Sequence, residues 1–141
     1  MGPARVVAPG VQAAARPVAV RVVAYVPDLL FGSNVLGMLR AAGLEAELCA
    51  DEERARHAIP GAQVVVVDLT SDAEPRVALV EALRHAGDLD GARTLGFYSH
   101  VDVGTREAAL AAGFDAVVPR SRMAREGATL VQGLAPEEAS P

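Results

Sequence analysis

Four consecutive valines, Val64 to Val67, run into a single carboxylate, Asp68. A β-branched run of this kind is stiff at χ1 and packs well on a pleated surface, which favours a strand. No polar residue alternates within it, so both faces of that strand must be covered. Strands covered on both faces belong to parallel sheets flanked by helices. A carboxylate at the end of such a strand stands at the edge of a dry core, where it needs a partner or water.

The rest of the chain obeys the same constraint. Val18 to Val26 is Val-rich and almost uncharged, and reads as a second buried strand. Leu44 to Cys49 alternates with Glu45 and Glu47, which suits a strand nearer the sheet edge. Thr94 to Tyr98 and Ala116 to Val118 complete the set. Between strands the period changes. Val35, Leu36, Leu39 and Ala42 lie at helical spacing, with Gly43 placed to end that helix. Asp51 opens a short charged helix to Ala58, and Pro60-Gly61 breaks the chain. Glu74 to Ala86 gathers Val77, Leu79, Val80 and Leu83 on one face before Gly87. Asp102 caps a helix to Ala112, and Gly113 follows. Ser121 is expected to cap a last helix, whose Met123, Gly127, Leu130, Val131 and Leu134 form one stripe.

Five strands alternating with five helices over residues 18–135 imply a three-layer α/β fold. The expected architecture is a flavodoxin-like, doubly wound parallel sheet with strand order 2-1-3-4-5. Residues 1–17, with three prolines and two glycines, are expected to form a flexible leader, and residues 136–141 a flexible tail.

Composition narrows the function. With 51% hydrophobic residues in 141, the chain can bury a sizeable core, and with 4% aromatics and no Trp that core must be Val, Leu and Ala. The net charge of −5 argues against a nucleic-acid backbone as partner. A lone Cys49 cannot form an internal disulfide, so a cytoplasmic location is expected. No apolar run approaches the roughly 20 residues that span a bilayer, so no membrane partner is expected.

In open parallel sheets ligands bind beyond the carboxyl ends of the strands. That rule singles out Tyr25 to Asp28, Asp68 to Ser71, Ser99 to Asp102 and Pro119 to Ser121. Asp68 reads as a rim carboxylate, either paired with Arg120 or capping a neighbouring turn. Ser99, His100 and Asp102 do not make a catalytic triad, because neighbouring residues at a strand end point in opposite directions. Asp102 reads as a helix cap and His100 as a rim residue. Phe31-Gly32-Ser33-Asn34 reads as a turn before a helix, with Ser33 as its N-cap or as part of a phosphate cradle. Arg120 and Ser121 at a helix start could hold an anion. Leu29, Leu30 and Phe31 would pack under the rim or form part of a docking surface, and Cys49 would be buried. No acid–base pair or metal cluster is legible, so no catalytic residue, metal or cofactor is expected.

These rim residues also carry a resemblance. The chain resembles a receiver domain of the two-component response-regulator type. Val-Val-Val-Val-Asp68-Leu-Thr matches the strand that ends in the phosphoaccepting Asp, and Phe97-Tyr98-Ser99-His100 puts Ser99 at the family's hydroxyl position. Ala111-Ala112-Gly113, followed by a short strand, places Arg120 at the family's Lys position. The sequence departs from the family where the metal would sit. Ala24 and Tyr25 stand where receivers carry an acidic pair, Arg replaces Lys, and Pro119 precedes the cation. Asp28 lies three residues beyond Tyr25, beside Pro27. The resemblance is therefore to an atypical, pseudo-receiver domain. It implies a non-enzymatic regulatory module, independent of phosphorylation, that acts by contact with a partner protein, with a homodimer through the last helix as one form. Two alternatives stand beside it. One is a phosphoacceptor single-domain regulator using Asp68. The other is a small anion- or nucleotide-binding module at the rim, drawing on Asp28, Ser33, His100 and Ser121.

Overall fold

The computed structural model describes residues 19–136. The expected leader, and all of the expected tail but its first residue, lie outside the described residues. The elements alternate strictly: β1 (Arg21–Tyr25), α1 (Leu29–Ala41), β2 (Glu45–Cys49), α2 (Glu52–Ala58), β3 (Val64–Asp68), α3 (Ala73–His85), β4 (Arg93–Tyr98), α4 (Val103–Ala111), β5 (Ala116–Pro119) and α5 (Arg120–Leu134). All pairings are parallel, in the order β2-β1-β3-β4-β5. This is the flavodoxin-like order expected from the sequence. Every residue of β3 is buried, and Glu-bearing β2 lies at an edge.

The sheet splits the core by strand parity. Val23, Val65 and Val67 pack toward Ala55, Leu79, Val80 and Ala109, from α2, α3 and α4. Val22, Val64 and Val66 pack toward Val35, Leu39, Met123 and Val131, from α1 and α5. The last-helix stripe serves this second layer. Met123, Gly127 and Val131 are buried, and Leu130 and Leu134 pack against the core. Gly43 at φ +85° and Gly87 at φ +82° follow α1 and α3, in the left-handed region that a side chain disfavours.

Two helix starts differ from expectation. α1 begins at Leu29, with Asp28 as its N-cap accepting from the Leu30 and Phe31 N–H groups at 3.0 and 3.1 Å. Ser33 therefore lies inside the helix, exposed, and the supposed Phe31–Asn34 turn is helical. The apolar period starts only at Val35, but a carboxylate behind Pro27 satisfies the orphan donors a full turn earlier. α5 follows β5 without a linker, so its N-cap is Pro119 and Ser121 sits in its first turn, capping nothing. No helix among the described residues is long and apolar enough to cross a membrane.

Candidate functional site

Because all five strands run the same way, their carboxyl ends share one rim. Register places Asp68 beside Phe97 and Tyr25 beside Val67, so the ends of β1, β3 and β4 lie nearly level. Asp68 is only 4% exposed. Its Oδ1 accepts from the Thr70 N–H at 2.8 Å and from the Thr70 hydroxyl at 2.6 Å. The carboxylate thus folds the chain back on itself in an Asx-type turn, which meets the need of a charged group leaving a dry strand. This is the turn-capping role foreseen for Asp68, and the foreseen pairing with Arg120 does not form.

Arg120 is drawn elsewhere. Its guanidinium lies over the Phe31 ring, 4.2 Å from the centroid, and 3.8 Å from the Asp28 carboxylate. Phe31 is itself held by the Phe97 ring, with centroids 5.1 Å apart. Both ends of the Arg120–Asp28 pair are about half exposed, 48% and 50%, so it contributes little, about 0–1 kcal/mol. Stacking on Phe31 is what aims the side chain.

The other side of Asp68 is occupied by a cation that the sequence reading passed over. Arg76 is buried at 8% exposure. Its Nε donates to the Asp68 carbonyl at 2.6 Å, and its terminal nitrogen donates to the Ser71 carbonyl. The guanidinium lies 5.7 Å from the centre of the Tyr25 ring. Burial pushes the Tyr25 hydroxyl above its ordinary pKa, and the nearby Arg76 charge opposes that rise. A signal for Arg76 was present. With Val80 and Leu83 it stands at helical spacing on the buried face of α3, where an unpaired charge is not tolerated.

Between these elements lies a cleft of about 530 Å³. It collects Ser99 and His100 from the end of β4, Arg120 and Ser121 from the start of α5, and Thr70 and Phe31 opposite. Ser99, His100, Arg120 and Ser121, all singled out by the sequence as rim residues, are therefore brought together. Asp68 adjoins the cleft through Thr70, Asp28 through Arg120, and Ser33 takes no part. Asp102 is committed to Thr105, accepting from its N–H at 3.1 Å and its hydroxyl at 2.6 Å, and these bonds hold the Asp102 carboxyl below its ordinary pKa. It caps α4 as expected and does not serve His100. Cys49 is buried, and desolvation, reinforced by Glu47, pushes its thiol up. Among the described residues no three His, Cys, Asp or Glu side chains cluster as a metal-binding set.

No protein-family model matches the chain, and no curated protein matches it in sequence. Solved structures do match it in shape. A putative response regulator from Chloroflexus aurantiacus superposes with a TM-score of 0.74 at 17% identity, covering 83% of this chain and 98% of that one. The receiver domain of the putative response regulator NarL from Mycobacterium tuberculosis gives 0.67 at 21% identity, covering 83% and 96%. An atypical orphan response regulator, described as having a phosphorylation-independent regulatory mechanism, gives 0.67 at 14% identity, covering 81% and 93%. The fold is that of response-regulator receiver domains.

Proposed function

We propose that this chain is a regulatory module of receiver type that works by contact with a partner protein and without phosphorylation of Asp68. One observation carries the reading. Where the metal of such a site would need oxygen ligands, β1 ends in Ala24 and Tyr25, and the Arg76 guanidinium lies over Tyr25 and on the Asp68 carbonyl. Mg²⁺ requires near-octahedral oxygen donors and is repelled by a neighbouring fixed cation. Asp68 Oδ1 is engaged twice by Thr70, and Asp28 caps α1 beside Arg120. These residues do not fit a divalent cation, and without one the charge of a transferring phosphoryl group goes unneutralised. The resemblance to the phosphorylation-independent orphan regulator agrees with this reading. A solvent-facing α5 surface remains for a partner or a second copy, although its apolar stripe is used inside the molecule.

The test is intact mass after incubation with acetyl phosphate, with and without Mg²⁺, for the wild type and Asp68→Asn. The expected result is an unchanged mass on folded protein. A Mg²⁺-dependent phosphate adduct on the wild type alone would overturn the proposal and restore Asp68 as an acceptor. A second reading draws on the cleft, where Arg120, His100, Ser99 and Ser121 present donors to a common space. In that reading the module senses a small anion, and its melting temperature rises with the anion in the wild type but not in Arg120→Ala.

A further inference from the structure

A second concavity lies away from the rim cleft, between α3 and α4. It encloses about 380 Å³. Its floor is made of small or apolar side chains, among them Val77 and Ala78 of α3 and Gly104 and Ala108 of α4. Ala78, Gly104 and Ala108 are exposed, so a backbone could approach closely along the groove. Apolar surface is also left uncovered in the segment that leads into α4. Val101 and Val103, on either side of Asp102 in the chain, are 76% and 55% exposed. An open groove of small residues, with uncovered apolar side chains in the segment that leads into one of its walls, marks a surface built to be covered.

The charge along the groove states what would cover it. Glu74 and Glu81 line it without a salt bridge among the described residues, and Asp102, whose carboxylate caps α4 through Thr105, adds a third negative charge. Glu74 and Glu81 are two helical turns apart on α3, a rise of about 10.5 Å. A helix laid along the groove would present cations at the same two-turn interval.

We propose that the α3–α4 groove receives a helix of a partner protein that carries Arg or Lys two turns apart beside a face of small apolar residues. Charge complementarity selects this occupant. The apolar floor supplies burial, and the carboxylates set register and exclude acidic helices. The proposal goes beyond the reading of the rim, since it names a different surface and does not depend on whether Asp68 accepts phosphate.

The probe is a synthetic 16-residue helical peptide with alanines along one face and arginines at i and i+7 beside it, titrated into the full chain labelled with ¹⁵N. Amide shifts are expected at Ala78, Glu81, Gly104 and Ala108. Binding should weaken about tenfold when Glu74→Gln and Glu81→Gln are combined, and again when salt rises from about 20 to about 300 mM. Ala78→Lys, at an exposed site, should abolish it, with circular dichroism showing the fold retained. A peptide with glutamate in place of arginine should not bind. Shifts confined to the rim, or affinity unchanged in the double Gln variant, would overturn the proposal. So would self-association abolished by Ala78→Lys, which would give the groove to a second copy.

Discussion

A buried arginine that donates to two backbone carbonyls does more than balance charge. Arg76 satisfies the Asp68 and Ser71 carbonyls from inside α3, and so fixes the loop that carries Thr70 over the Asp68 carboxylate. Replacing it with Leu keeps apolar volume but leaves at least one buried acceptor unmet. Urea unfolding of Arg76→Leu is therefore expected to show a loss of about 1–3 kcal/mol. No loss would mean that the two carbonyls find water. The residue itself stands in the sequence on the buried face of a helix. What the sequence does not carry is its direction. Nothing local says that the guanidinium turns to the end of β3 and lies over Tyr25.

Among the elements, glycines of opposite effect show how packing overrules propensity. Gly37 lies in α1, and a Cβ there would meet nothing within 4 Å. Gly37→Ala is expected to stabilise the protein by about 0.5–1 kcal/mol, because alanine loses less backbone freedom in a helix. Gly96 lies in the buried strand β4, and a Cβ there would stand 2.7 Å from Leu69 Cδ1 and 3.2 Å from the Phe114 ring. Both neighbours are themselves buried in the core. Gly96→Ala is expected to destabilise by about 1–3 kcal/mol, through overpacking. Thermal unfolding of the two variants side by side checks the contrast, and melting temperatures that move the same way would refute it. The periods of helix and strand were legible in the residues. The two helix starts were not, since a cap depends on which carboxylate or proline meets the backbone, and Asp28 and Pro119 lie outside the apolar pattern.

For the whole molecule, two buried ionisable groups set the alkaline side of stability. Cys49 and Tyr25 both have pKa values raised above their ordinary 9.0 and 10.0, mainly by burial. Raised acids of this kind favour the folded state fully at neutral pH. Their contribution falls away once the unfolded chain can ionise where the folded chain cannot. Stability is expected to decline above about pH 9, and to decline less in Cys49→Ala combined with Tyr25→Phe. Urea midpoints measured from pH 7 to pH 11 follow the effect directly. A parallel decline in both proteins would assign it to other groups.

The sequence by itself determined the layers, the order of elements, the edge position of β2 and the rim on which a site would lie. Those follow from period, burial and the handedness of parallel connections, which are local or nearly so. Only the tertiary structure decided the partners of the charged groups. Arg120 went to Phe31 and Asp28 and not to Asp68, and Arg76 to the end of β3. The reason is physical. A hydrophobic pattern needs only a face to be covered, whereas a polar contact needs two groups within about 3 Å at a set angle, and residues as far apart in the chain as Arg21 and Gln63, at 2.9 Å, reach that geometry only when the sheet has brought its strands together.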